Sequence, residues 1–229
     1  MSIRSFIPNA FTSLNLAFGC LAIIEIFEGR LENVIYYTVL SGVVDFFDGF
    51  LARLLKSTSN IGKDLDSLAD MVSFGVVPAL VVYKMLQTST PGTYWPYVAV
   101  LIAVMSGLRL AKFNNDTRQS DRFFGLPTPA NACLINSLAY LAAVGIWTEY
   151  LNQWIVLVGL AIGTSILLIA DIPMMAFKFK KLGRKGNEGK YAFLLISLAM
   201  IVLLKLVAIP LIIVLYIVGS IVGHIFTPK

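Results

Sequence analysis

Apolar residues fill this chain in long runs broken by short polar stretches. Eight runs, at roughly 9–27, 33–55, 66–86, 95–113, 128–147, 153–172, 189–206 and 208–226, each approach the length a helix needs to cross a hydrocarbon core of about 30 Å. In lipid the backbone must satisfy its own hydrogen bonds, so the runs predict helices, and the alternation of a membrane barrel is absent. The last two runs form one tract too long for a single crossing. Lys205 and Pro210 mark the predicted break within it. The expected fold is all-α: a polytopic membrane helix bundle of about eight transmembrane helices, in one domain. Its core is placed at about 5–182, with the last two helices at about 189–226.

Composition sharpens this picture. The 229 residues are 58% hydrophobic and only 14% charged, and mean hydropathy is +0.81. A soluble domain carries far more charge. Fifteen of the eighteen Lys and Arg fall in the amino-terminal tail, the second-to-third, fourth-to-fifth and sixth-to-seventh connections, and the carboxy-terminal tail. Only Arg30, Lys84 and Lys205 fall on the other side. The positive-inside rule then places both termini and the basic connections in the cytoplasm. The net charge of +5 is thus a one-sided face suited to anionic lipid headgroups rather than to nucleic acid. A single histidine, His224, argues against a Ser-His-Asp triad or a His-rich zinc site. Cys20 and Cys133 stand alone in apolar spans and read as small packing residues.

Against this background four carboxylates stand out. Asp45 and Asp48 are three apart and share a helix face near the end of the second span. Asp66 and Asp70 are four apart and do the same at the start of the third. A short connection makes the two helices antiparallel neighbours, so both pairs lie at similar depth. Clustered carboxylates repel, and each costs several kcal/mol to carry into the membrane unless compensated. Arg53 offers one positive charge. Divalent cations would supply the rest, and all-oxygen ligation favours magnesium, manganese or calcium. Two cations about 3.5–4 Å apart would fit such a set. From the acids alone, a proton or cation path through a transporter is an equal reading. The residues between them tilt the balance. Gly49 and Ala52 form a small-residue notch beside Arg53, and Gly62 allows close backbone approach, which together suit a phosphorylated ligand.

The stretch from Asp45 to Asp70 resembles the CDP-alcohol phosphatidyltransferases. All eight fixed residues of that family's D-x-x-D-G-x-x-A-R-x8-G-x3-D-x3-D pattern are present: Asp45, Asp48, Gly49, Ala52, Arg53, Gly62, Asp66 and Asp70. Further stretches, "IPNAFTSLN", "DSLADMVSFGVVPA", "RLAKFN", "FFGLPTPANA" and "IPMMAFKFKKL", are similar to the phosphatidylserine-forming branch. Lys112 departs from a more usual arginine, and Asn131 from a more usual alanine.

The resemblance implies transfer of the phosphatidyl group of CDP-diacylglycerol to L-serine at the cytoplasmic face of a cell membrane, by a homodimer. Glycerol 3-phosphate or inositol are the alternative acceptors. It implies Mg2+ or Mn2+, two ions, held by Asp45, Asp48 and Asp66, with Asp70 sharing the second ion and acting as general base. Gly49, Ala52, Arg53 and Gly62 would hold the donor nucleotide, with Asn9 and Thr12 closing the pocket. Arg109 and Arg118 are expected at the phosphates or the serine carboxylate. Asn114 is a headgroup candidate, and Ser67 and Ser73, on the third span close to Asp70, either bond the acceptor or pack helices.

Overall fold

The computed structural model describes residues 3–55, 60–115, 123–175 and 188–226. Ten α-helices run through them: α1 Ile3–Phe27, α2 Leu31–Leu54, α3 Asn60–Asp70, α4 Val77–Ser89, α5 Val100–Asn115, α6 Thr128–Ala143, α7 Thr148–Leu151, α8 Trp154–Ile169, α9 Glu188–Leu204 and α10 Ala208–Phe226. Helices thus cover the expected apolar runs, with ends shifted by several residues. The largest differences are at the first and the third, where the helices begin earlier, at Ile3 and Asn60, so Asp66 and Asp70 lie inside a continuous helical stretch rather than at its mouth. Five continuous helical stretches are long and apolar enough to cross a membrane. The protein is an all-α, multi-pass membrane protein. Among the described residues the helices are joined by a two-residue antiparallel ladder, β1 Phe123–Phe124 against β2 Pro173–Met174.

The last apolar tract is a hairpin. A 3-10 turn, Lys205–Val207, separates α9 from α10, and Lys205 adopts a left-handed φ of 52°. The Phe193 and Tyr216 rings lie 6.2 Å apart, although a continuous helix would separate them by about 35 Å. The chain therefore doubles back at Lys205, as the charge in that tract predicted.

A second irregularity matters more for chemistry. After Asp70 the helix widens into a π-helical stretch, Met71–Val76, before α4 begins. Such widened turns concentrate at functional sites because they re-aim side chains within an otherwise continuous helix. Two glycines let neighbours reach it: Gly19 of α1 lies against Ser73 and Val72, and Gly75 lies against Ser106 of α5 and Met71. Behind it, Val77, Val81, Val82 and Leu86 pack against Val34, Ile102 and Ile135 in the core. At the opposite end, Arg30 pairs with Glu25 at 2.6 Å, and Asn33 donates to the same carboxylate at 2.8 Å, pinning the α1–α2 connection. One of the three basic residues outside the predicted cytoplasmic set is thereby neutralised locally.

Pro127 is the N-cap residue of α6, with Pro129 in its first turn, where a missing N–H costs nothing. Just before it, Gly125 has φ +75°. Its N–H donates to the Ile172 carbonyl at 2.9 Å, and that of Leu126 to Leu167 at 2.8 Å. A Cβ on Gly125 would sit 2.5 Å from the Leu168 carbonyl oxygen. Gly125→Ala is therefore expected to destabilise the protein by about 2–4 kcal/mol, combining left-handed strain with overpacking. The thermal midpoint in detergent checks this, against Gly159→Ala in the interior of α8, whose added Cβ meets nothing within 4 Å and should hold the midpoint or raise it slightly.

Candidate functional site

The four aspartates meet where α1, α2 and α3 converge. One oxygen each from Asp45, Asp48 and Asp66 falls within 4.8 Å of the others. Asp45 and Asp70 lie within hydrogen-bonding reach of each other. The spacing of three and four residues put each pair on one helix face, and α1, which packs against both α2 and α3, brings the pairs together.

Helix α1 holds this cluster in shape. The Thr12 hydroxyl donates to Asp48 Oδ2 at 2.7 Å, and Asn15 Nδ2 donates to Asp70 Oδ1 at 3.1 Å. Asn15 is also the joint for the widened turn: its carbonyl accepts from Ser73 Oγ at 2.9 Å and from Ser41 Oγ at 3.3 Å. One buried residue thus ties α1 to α2, to the π-helical stretch and to Asp70. Sequence reasoning missed it. The signal was there, since Asn15 is an amide within an apolar span, three residues beyond Thr12.

Several expectations change. Ser73 is committed to the Asn15 carbonyl and buried, so it packs helices rather than facing an acceptor. Arg53 does not neutralise the acids. It is exposed, and its Nε donates to the Gly49 carbonyl one turn back at 2.9 Å. Among the described residues the ion pairs are Arg30 with Glu25 and Glu28, and Lys112 with Asp171; none involves the four aspartates. Ser67 accepts from Asn114 Nδ2 at 2.8 Å and donates to the Lys63 carbonyl at 3.1 Å, so this pair staples α3 to α5. Gly62 lies in the first turn of α3 instead of preceding the helix. Arg118 lies outside the described residues. Lys112 pairs with Asp171, just beyond α8, at 2.7 Å.

Four placements point toward a ligand. A Cβ on Gly49 would meet nothing within 4 Å, so the notch beside Asp48 is open. Asn9 Nδ2 is buried without a protein partner, three residues before Thr12. Arg109 is buried with its Nε unpartnered, within electrostatic reach of Asp70 and Tyr216. Asn131, at the start of α6, is also fully buried with both amide atoms unpartnered.

The donor set fits a hard divalent cation. Its atoms are carboxylate oxygens from three side chains, closely set and without a paired Lys or Arg among the described residues. Asp45, Asp48 and Asp66 would hold such an ion, with Asp70 beside it.

Comparison with known proteins agrees with this geometry. The sequence model for CDP-alcohol phosphatidyltransferase matches residues 5–165. A CDP-diacylglycerol–serine O-phosphatidyltransferase of Mycobacterium tuberculosis (strain ATCC 25618 / H37Rv) is 33% identical over 231 residues, covering 96% of this chain and 76% of the relative. A protein of the same name from Helicobacter pylori (strain J99) is 31% identical over 226 residues, covering 96% and 91%. An archaetidylserine synthase of Methanothermobacter thermautotrophicus is 33% identical over 178 residues, covering 74% and 70%. With the aspartates gathered in the region that the family model spans, the chain belongs to the CDP-alcohol phosphatidyltransferase family of phospholipid-synthesising enzymes.

Proposed function

We propose that this enzyme transfers the phosphatidyl group of CDP-diacylglycerol to the hydroxyl of L-serine, giving phosphatidylserine and CMP. The observation that carries the reading is the convergence of two aspartate pairs beside the open notch at Gly49. Relatives that share most of the chain and are named for serine transfer support the acceptor.

In this reading Gly49 and Ala52 leave room for the nucleotide, and Arg53 and Gly62 flank it. Asn9, through its unpartnered amide, meets the donor from the α1 side. Thr12 orients Asp48. A divalent cation bound by Asp45, Asp48 and Asp66, with a second shared by Asp70, would polarise the phosphoryl group and stabilise departing CMP. Asp70 takes the proton from the serine hydroxyl as that oxygen bonds to the phosphatidyl phosphorus and the bond to CMP breaks. Asn15 fixes the Asp70 carboxylate through its 3.1 Å hydrogen bond. Arg109 receives the serine carboxylate, a charge match that needs no second cation.

The same reading gives eight crossings, counting α3 through α4 as one and the α9–α10 hairpin as two. Both termini and the aspartates then lie on the cytoplasmic side, in keeping with the basic connections.

Purified protein in detergent is expected to release CMP from CDP-diacylglycerol only when L-serine and Mg2+ or Mn2+ are both present, with chelation abolishing release. Release with glycerol 3-phosphate but not with serine would overturn the acceptor. No acceptor-dependent CMP release under any condition would overturn the transfer reading and favour cation conduction by the acid pairs.

A further inference from the structure

In a membrane helix, a serine or threonine hydroxyl ordinarily returns to the carbonyl one turn earlier. This protein follows that habit at Thr38, which bonds Val34, and at Ser220, which bonds Tyr216. Others reach a neighbouring helix, as Ser41 and Ser73 do at the Asn15 carbonyl, but four buried hydroxyls among the described residues have no partner; one, Ser197, stands on α9, which packs on α10, and the other three stand on two helices in mutual contact. Ser106 of α5 and Thr164 and Ser165 of α8 are 0%, 4% and 3% exposed, and none has a hydrogen-bond partner. Unpaired hydroxyls are costly in this environment.

The three lie at one depth. Helices α5 and α8 run parallel in a fixed register. The Trp95 and Trp154 rings sit 5.0 Å apart near one end, and Lys112 meets Asp171 at 2.7 Å near the other. Both pairs are separated by the same number of residues, and that offset sets Ser106 level with Ser165. Ser106 and Arg109 share the buried face of α5, one turn apart. Thr164 and Ser165 belong to the buried face of α8 with Ala161 and Leu168. Ser106 abuts Gly75, five residues beyond Asp70, which places it about 7 Å deeper than the aspartate. Arg109, also without a partner at Nε and 7% exposed, lies between these depths.

We propose that Ser106, Thr164 and Ser165 form the inner end of the acceptor pocket and receive the α-ammonium group of the amino-acid acceptor, while Arg109 holds its carboxylate. This rests on the serine-transfer reading and extends it to α8, which the family's acid motif does not reach. The chemistry is complementary. Hydroxyl oxygens accept from an ammonium, one guanidinium balances one carboxylate, and the reacting hydroxyl is left toward Asp70. Among the described residues, an acceptor bearing a phosphate would find Arg109 here and neutral hydroxyls beyond it.

The full-length protein in detergent tests this with L-serine and L-glycerate, which has a hydroxyl in place of the ammonium. Thr164→Val, Ser165→Ala and Ser106→Ala are expected to raise the KM for serine about tenfold or more, in line with loss of a hydrogen bond to a charged group. The KM for CDP-diacylglycerol and the thermal midpoint should hold, and the preference for serine over glycerate should narrow. Thr164→Ser, which keeps the hydroxyl, should retain the wild-type KM. An unchanged serine KM, an equal loss with both acceptors, or equal behaviour of Thr164→Ser and Thr164→Val would overturn the proposal while leaving serine transfer intact. Wild-type protein that ignores serine would overturn the serine reading and this pocket with it.

Discussion

Asp70→Asn is expected to lower kcat by about 10³-fold while leaving the protein folded and its affinity for CDP-diacylglycerol within a fewfold of wild type. Removal of a positioned general base costs about 10² to 10⁴ in rate, and Asp70 also borders the cation set. The amide is nearly isosteric, and its oxygen can still accept the hydrogen bond from Asn15, so the joint between α1, α2 and the widened turn survives. What is lost is the ability to take a proton. Steady-state CMP release against serine concentration, with a thermal-shift measurement beside it, separates the two effects. A variant that retains more than a tenth of wild-type kcat would remove Asp70 from the base role. A variant with a lowered thermal midpoint and raised KM for both substrates would make it a structural residue.

Asp45→Asn and Asp48→Asn should behave differently. These residues belong to the three-carboxylate set, so their loss should raise the Mg2+ or Mn2+ concentration needed for half-maximal rate. Excess metal should partly restore activity there, and should not restore Asp70→Asn.

Features that depend on period and spacing were legible in the sequence. Apolar run lengths placed the helices, and Lys205 in the last tract marked the hairpin, because a charge and a turn are both excluded from the middle of a lipid-facing helix. Aspartates at three- and four-residue spacing announced shared faces, but the short connection suggested that α2 and α3 pack on each other, whereas α1 packs against both and joins them. Direction and partnership of individual side chains were not legible. Arg53 stood one turn from Gly49 and looked like a counter-charge, yet its guanidinium turns back to the Gly49 carbonyl. Ser73 looked like an acceptor ligand because it is near Asp70 in sequence. The π-helical widening, invisible to a 3.6-residue pattern, turns it toward Asn15 instead. The β1–β2 ladder is too short to leave a period at all. The hydroxyls of α8 pass as ordinary polar residues in an apolar span until the absence of a backbone partner becomes visible.

Gly49→Leu separates the phosphatidyl-transfer reading from its rival, because it sets stability against function. Helix α2 carries Gly49 in its interior, where glycine costs roughly 1 kcal/mol relative to alanine in helix propensity. A Cβ there meets nothing within 4 Å, and the carbonyl that receives Arg53 is backbone and remains. Neither Gly49→Ala nor Gly49→Leu should lower the thermal midpoint, and the alanine variant should raise it slightly. The space that absorbs the new side chain is the space assigned to the nucleotide, one residue from Asp48. Gly49→Ala is therefore expected to raise the KM for CDP-diacylglycerol about tenfold, and Gly49→Leu to abolish CMP release, with metal affinity at the aspartates little changed. A cation pathway lined by the four acids makes the opposite forecast, since it has no use for an empty notch on α2. Were Gly49→Leu to fold, bind metal and release CMP at the wild-type rate, the donor would have to dock elsewhere, and the small-residue notch would be a feature of helix geometry alone.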